Sequence, residues 1–315
     1  MVTSKGSSKP AHLEPSKLGT REYWDSLYVG EKSNHEANPR DKGTVWFDDS
    51  NAESKVLRFL CARAIDEPVP ESFPAGCGSG SASDSDSDSD SDSTDHDSES
   101  ENEDEDATNS PHKDLSYRTS SILDLGCGNG SLIFALRRRG FAGSRLGIDY
   151  SMASIDFATQ IAAAAGTPDD ALAFSQWDVL KGAFSDVLGD INGSRLKFAH
   201  TATGFDVVLD KGTFDAISLS DETGVHGRRV CEDYARRVLH LVRRGGILVI
   251  TSCNWTEAEL ISWFEKPVSE ENSSVSGREE DDVGRWVLDG RIKYRAFSFG
   301  GVTGQTISTL CFRRV

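Results

Sequence analysis

The residues with the clearest chemical potential form one string, Ile122-Leu123-Asp124-Leu125-Gly126-Cys127-Gly128-Asn129-Gly130-Ser131, where a short apolar run meets a helical pattern. Glycines at a strand-to-helix turn accept positive φ and let a ligand approach the backbone, beside a helix N-terminus that favours electronegative groups. A dinucleotide-binding turn reads GxGxxG, its third glycine packing the helix on the strand; here GxGxG is followed by Ser131. The loop is suited to a ligand, but its spacing argues against a nicotinamide-dependent dehydrogenase. Asp149 ends the next strand pattern in GIDYS, 23 residues after Gly126. There a carboxylate can accept hydrogen bonds from both hydroxyls of a ribose; taken alone, it could equally cap the following helix. Asp178 ends a third strand pattern in QWDV and Asp210 a fourth in VVLDKG, while Asn254 and Trp255 follow a fifth. Acidic and glycine features at successive strand C-termini are where open α/β sheets bind ligands.

The elements that must position these residues are legible as periodicity. Residues 120–126, 144–150, 172–179, 204–212 and 246–252 are short apolar runs that read as strands. Between them SLIFALRRRG, MASIDFATQIAAAAG, which Gly166 closes, and VCEDYARRVLHLVRRGG read as helices, the last with cations and glycines at its end. TEAELISWFE is a further helix, and WVLDGRIKYRAFSFG with QTISTLCFRRV supplies two closing β-rich segments. This alternation predicts a parallel sheet with helices on both faces. Upstream, residues 50–65 place Val56, Leu57, Leu60, Cys61, Ala64 and Ile65 on one helical face with Ser or Asn available as cap, and residues 21–47 set five aromatics among charges, as a short helix and a loop covering a pocket would. Trp177, on an alternating strand, reads as core.

Residues 84–106 hold 13 carboxylates and no Lys or Arg, so of the net charge of −17 only −17 + 13 = −4 belongs to the rest of the chain. A near-neutral body without a basic stripe lacks the electrostatic footprint of a nucleic-acid binder. The acidic run has no large apolar side chain and strong self-repulsion, so it reads as a solvated loop; the alternative is a phosphorylated tether for a basic partner. The expected organisation is a flexible tail over 1–18, a helical lid segment over 19–66, a disordered acidic insertion over 67–118 and a core over 119–315. Six dispersed cysteines with no CxxC pair suggest reduced intracellular thiols, and no motif demands a metal. No window reaches the roughly 18 apolar residues of a membrane span, and the polar N-terminus lacks a signal-peptide core; the expectation is a cytoplasmic protein, with the nucleus open, and a monomer.

With Asp124 two residues before its first glycine, the string resembles motif I of class I S-adenosylmethionine-dependent methyltransferases. The resemblance implies an α/β, Rossmann-like seven-stranded methyltransferase fold: a mostly parallel sheet with an antiparallel closing strand and helices on both faces. It implies S-adenosylmethionine as cofactor, with Asp124 near its amino-acid end and Gly126, Gly128 and Gly130 beneath it. Asp149 would hold the ribose, Tyr150 would line the adenosine, and Asp178 with Val179 would lie near the adenine. Methylases of adenine or glutamine amides commonly carry an Asn-Pro-Pro-aromatic motif after the fourth strand, and this chain does not. Its LDKGTFDAI (209–217) resembles seven-strand protein lysine methyltransferases. YWDSLY (23–28), TVWFDD (44–49), ITSCNWTEAEL (250–260) and FSFGGVTGQT (297–306) extend the resemblance to the eukaryotic family that methylates a lysine of translation elongation factor 1-alpha. It covers residues 20–66 and 119–315; the acidic insertion departs from the compact family pattern.

On this reading Asp210 and Asn254 border the reacting centre as catalytic residues, and Trp46, Phe47 and Trp255 meet the substrate. Trp46 and Phe47, like Trp24 and Tyr28, could instead pack the first helix onto the sheet. Two other functions stay open: a methylase of RNA or a small molecule on the same fold, and a non-catalytic cofactor-binding module. Excising residues 79–110 is expected to leave folding and activity intact, checked by thermal melting and a methyl-transfer assay; loss of either would defeat the reading of a solvated loop.

Overall fold

The computed structural model describes residues 10–70, 112–165, 172–188, 203–224, 227–265, 284–295, 297–299, 302–304 and 306–315. Gly166 and the acidic run 84–106 lie outside them. A seven-stranded sheet is built from β1 (Ile122–Leu125), β2 (Arg145–Asp149), β3 (Leu172–Gln176), β4 (Phe205–Lys211), β5 (Val242–Ser252), β6 (Trp286–Ile292) and β9 (Ser308–Arg314), in the order β3-β2-β1-β4-β5-β9-β6. β1 to β5 pair in parallel, and β9 runs antiparallel between β5 and β6. A separate hairpin joins β7 (Phe297–Phe299) to β8 (Val302–Gly304). This is the Rossmann-like methyltransferase architecture expected from the sequence.

The strands are apolar runs because both faces of the sheet are covered. Successive side chains alternate between two cores. Leu123, Leu125, Val208, Leu248 and Ile250 face α7 (Tyr234–Leu241) and α8 (Glu257–Phe264). Ile122, Val207, Leu209, Ile247 and Val249 face α2 (Ala52–Ala62) and α3 (Ser131–Arg138). α8 starts in a capping box, Thr256 with Glu259, as its sequence suggests. α4 (Met152–Ala164) follows β2, and the short α5 (Ser185–Leu188) and α6 (Thr213–Ser218) follow β3 and β4. Among the described residues no helix is long and apolar enough to cross a membrane.

Four expectations need correction. The N-terminal helix is not short: α1 runs Arg21–Ala37, burying Tyr28, Glu31 and His35 against α4, where His35 meets Phe157 edge-on at 5.6 Å. The flexible tail does not extend to residue 18. Ser16 donates its N–H to the Leu219 carbonyl at 3.1 Å, and the Arg229 guanidinium donates to the Leu13 carbonyl at 2.7 Å, so the contacts of residues 13–20 with the body begin before α1. The helix expected through Gly246 ends at Leu241, and β5 begins at Val242, because Arg243 turns to pair with Asp206 at 2.5 Å at the start of β4.

The acidic insertion, finally, is narrower than 67–118. Leu115 and Tyr117 are buried, Ile65 N–H reaches the Leu115 carbonyl at 2.8 Å and Asp114 N–H the Arg63 carbonyl at 2.9 Å. Arg63, fully enclosed, pairs with Asp114 and with Asp289, both at 2.9 Å, and Arg313 joins the same two carboxylates at 2.6 and 2.9 Å. Two arginines alternating with two aspartates compensate one another, and the N–H forks fill the carboxylate lone pairs. The two chain ends that frame the insertion are thereby tied together beside β6 and β9. Removing the central cation would leave carboxylates without compensation, so Arg63→Ala is expected to lower stability by about 3–5 kcal/mol in urea unfolding; a loss below about 1 kcal/mol would mean that the cluster is dispensable.

Candidate active site

A cavity of about 450 Å³ opens over the C-terminal ends of β1, β2, β3 and β4, within the size range of small-ligand sites. Gly126, with φ +63°, lies on its wall, and a Cβ there would fall 2.1 Å from Thr213 Oγ1. That hydroxyl donates to the Leu125 carbonyl at 2.6 Å, so the loop after β1 and the turn after β4 are in contact only because residue 126 has no side chain. A Cβ on Gly128 would meet the Tyr28 hydroxyl at 2.5 Å, which lets α1 close on the loop from above. Gly128 and Gly130 do not reach the cavity wall; Gly130 instead caps α3 in a left-handed conformation.

Asp149 reaches the cavity from the end of β2. Its carboxylate accepts from Gly128 N–H at 3.2 Å and from Ser151 N–H at 2.9 Å, which fixes it across the glycine loop. Each oxygen retains a lone pair for a hydroxyl. Burial pushes its pKa up, and the backbone donors pull it back. Tyr150, Asp178 and Val179 share this end of the wall. The Arg21 guanidinium stacks on the Tyr150 ring at 4.6 Å, while Asp178 Oδ1 accepts from Leu180 and Lys181 N–H at 2.8 and 3.1 Å. Trp177 is buried, its indole donating to the Ala183 carbonyl at 3.0 Å, as a core residue should.

The far end of the cavity gathers Trp46, Phe47, Lys211, Asp215, Cys253 and Asn254. Trp46 stands edge-on to Trp24 at 5.3 Å, so the aromatic segment both packs on α1 and walls the cavity. Sequence reasoning missed Lys211, Asp215 and Cys253. Asp215 had a signal in its place on the first turn of α6, but nothing local reveals that it would bridge to β5. There its carboxylate accepts from the Ser252 hydroxyl and from Cys253 N–H at 2.8 Å. Leu18, Gly19 and Arg21 also line the wall, bringing the N-terminal segment over the nucleoside end.

Besides Gly128 and Gly130, three expected site residues lie off the cavity wall. Asp210 is buried off the cavity: it accepts from the Tyr234 hydroxyl at 2.5 Å and from Thr213 and Phe214 N–H at 2.8 and 3.1 Å. It therefore anchors the turn that carries Lys211 and Thr213, behind the cavity wall. Trp255 is also buried, stacked near Phe214 at 6.1 Å with its indole donating to Ser218 Oγ at 3.2 Å. It holds α6 against α8, off the cavity wall. Asp124 is enclosed behind the wall near Lys211; burial raises its pKa to about 8, against the pull of the Lys211 ammonium.

Comparison with known proteins settles the family. Residues 118–301 match the model of a methyltransferase domain. The chain is 33% identical over 303 residues to protein-lysine N-methyltransferase EFM4 of Saccharomyces cerevisiae, covering 96% of each chain. It belongs to the protein-lysine N-methyltransferase family. Protein-lysine N-methyltransferase efm4 of Schizosaccharomyces pombe is 31% identical, covering 96% of this chain and 95% of the relative, and EEF1A lysine methyltransferase 2 of Danio rerio is 28% identical, covering 98% and 92%.

S-adenosylmethionine is the cofactor of this methyltransferase, and the residues present fit it. Asp149 offers carboxylate lone pairs at the nucleoside end, Gly126 leaves the loop backbone bare, and the Asp124 carboxyl is enclosed behind the amino-acid end, where a ligand ammonium would favour its ionised form. The cluster has a consequence for stability. Asp124 and Asp210 titrate near 8 and 7 when folded, and burial also raises Asp149 and Asp215. A carboxyl whose folded pKa exceeds its unfolded value keeps its proton in the folded state while the unfolded chain ionises, so stability falls as pH rises toward the folded pKa. Lys211 and His240, both held down by burial, act in the opposite sense, but Asp124 and Asp210 have folded values at or above the top of the window from about pH 5 to about pH 7. The cofactor-free protein is therefore expected to melt at a lower temperature at about pH 7 than at about pH 5; a rise across that window in a calorimetric scan would mean that these carboxyls are ionised when folded.

Proposed function

We propose that the enzyme transfers methyl groups from S-adenosylmethionine to the ε-amine of a lysine on translation elongation factor 1-alpha. The observation that carries this reading is similarity along nearly the whole chain to relatives named for that activity, including the segments 20–66 and 250–260 that surround the cavity.

The site chemistry supports it. The cofactor supplies an electrophilic methyl group on a sulfonium. The acceptor must approach in line as a neutral amine, yet free lysine, with a pKa near 10.4, is mostly protonated at neutral pH. Trp46 and Phe47 provide a wall that excludes water, and desolvation disfavours the ammonium form. Their ring faces also attract a methylated ammonium that has fewer N–H groups to donate. Asp215 and Asn254 offer oxygen acceptors at the same end. Asp215, held by Ser252 and Cys253, keeps a fixed direction, so an amine hydrogen directed at it turns the nitrogen lone pair toward the methyl group. Positioning and desolvation, with no dedicated base, account for the role of each residue.

Purified elongation factor 1-alpha incubated with the enzyme and methyl-labelled S-adenosylmethionine is expected to acquire label on a single lysine. Asp149→Ala, losing two charge-assisted bonds to the ribose, is expected to bind cofactor at least ~100-fold more weakly and to abolish labelling at micromolar cofactor. Normal cofactor binding without label on the factor would discard the partner and leave the fold and cofactor in place.

A further inference from the structure

Lys211 has an unusual position for a lysine. It ends β4, lines the cavity, and is partly buried there. Its ammonium donates to the Trp46 carbonyl at 3.2 Å, which uses one of three donors. Burying a cation is costly unless an anion shares the site. Asp124 exerts the strongest stabilising influence on it, followed by Glu53 and Asp210, and burial still holds it below the ordinary lysine range.

The other cations on the described wall are engaged elsewhere. Arg21 stacks on Tyr150 and faces Asp178 at 3.9 Å, and Lys181 pairs with Glu222 at 2.8 Å. Both stand with Asp149 and Asp178 at the ends of β2 and β3. In the order β3-β2-β1-β4, Lys211 is at the opposite end, where the amino-acid part of a ligand lies when its ribose is at Asp149. That part of S-adenosylmethionine carries an ammonium and a carboxylate. Asp124, enclosed behind that end, becomes an anion more readily beside an ammonium, and Lys211 is the cation on the described wall at that end to match the carboxylate.

We propose that Lys211 binds the amino-acid carboxylate of the cofactor and, through the Trp46 carbonyl, makes cofactor occupancy fix the Trp46–Phe47 strap on the acceptor side. The strap is already seated on this corner of the site. Phe47 sits in the left-handed region at φ +66°, and its ring lies over Gly212, where a Cβ would come within 3.1 Å of it. A ligand held by Lys211 thus stiffens the residues that wall the acceptor end, so cofactor binds first and the acceptor lysine second. The inference rests on the cofactor assignment above.

The test is calorimetric binding of S-adenosylhomocysteine and of its decarboxylated analogue to the full-length protein, followed by hydrogen exchange over residues 44–50. The native protein is expected to prefer the intact ligand by roughly 100-fold, the range for losing one partner of a buried charge pair. Lys211→Met is expected to reduce that preference to about threefold or less while binding the decarboxylated analogue as the native protein does, and Lys211→Arg to retain most of it. Only the intact ligand is expected to slow exchange at 44–50. A merely structural role would weaken both ligands equally and leave their ratio unchanged. Equal affinities in the native protein, or a full ratio in Lys211→Met, overturn the proposal; should that variant not fold, the ratio in Lys211→Gln decides. If S-adenosylhomocysteine does not bind the native protein, the cofactor assignment fails and the inference with it.

Discussion

The contact between the loop after β1 and the turn after β4 governs the site. Leu125 and Asp210 are register partners in neighbouring parallel strands, so the chain leaves both strands at the same height. Thr213 then reaches back to the Leu125 carbonyl over a residue with no side chain, and Asp210 fastens the turn from behind by accepting from Thr213, Phe214 and Tyr234. The remaining features of the cavity depend on that closure. It directs Lys211 toward Trp46, places Asp215 on the first turn of α6 where it can reach Ser252 and Cys253, and keeps Gly126 bare toward the ligand.

A second feature is the concentration of buried charge. Asp124, Asp149, Asp210, Asp215 and Lys211 lie within one region of the sheet's C-terminal edge, and burial shifts each toward its neutral form. Such a grouping does little for stability. It suits a ligand that brings fixed positive and negative charges of its own, because electrostatic interactions in a water-poor site act over short distances at high strength. The chemistry asked of the site is itself a desolvation problem, since a lysine must lose its proton before it can attack.

Charge is handled differently at the other end of the sheet. Arg63, Asp114, Asp289 and Arg313 form a closed set in which each carboxylate has two guanidinium partners, and Asp114 is held below the ordinary carboxylate range by those arginines. This set ties the two ends of the segment from α2 to β1, where Leu115 also pairs with Ala64. The chain can therefore carry a long acidic excursion between these elements without disturbing the glycine loop, which begins only after β1 is paired on both sides.

The sequence by itself determined the five parallel strands and the longer helices between them, the glycine loop, the carboxylates at the ends of β2 and β3, and the family, while the short α5 and α6 escaped it. The elements and carboxylates depend on local periodicity and on a general property of parallel sheets, that ligands meet strand C-termini, whereas the family rests on the resemblance of its motif strings. The tertiary structure alone decided which neighbour in a strand-end pair faces the ligand. Side chains alternate across a sheet, so Asp210 turns to Tyr234 in one core while Lys211, one residue later, turns to Trp46 and the cavity. No local pattern reveals that choice. The same holds for Trp255, whose polarity and position suggest a substrate contact but whose indole is committed to Ser218, and for Asp215, whose partners come from a strand 37 residues away. Arg63 and Asp114, 51 residues apart in sequence, meet only because the sheet brings their segments together.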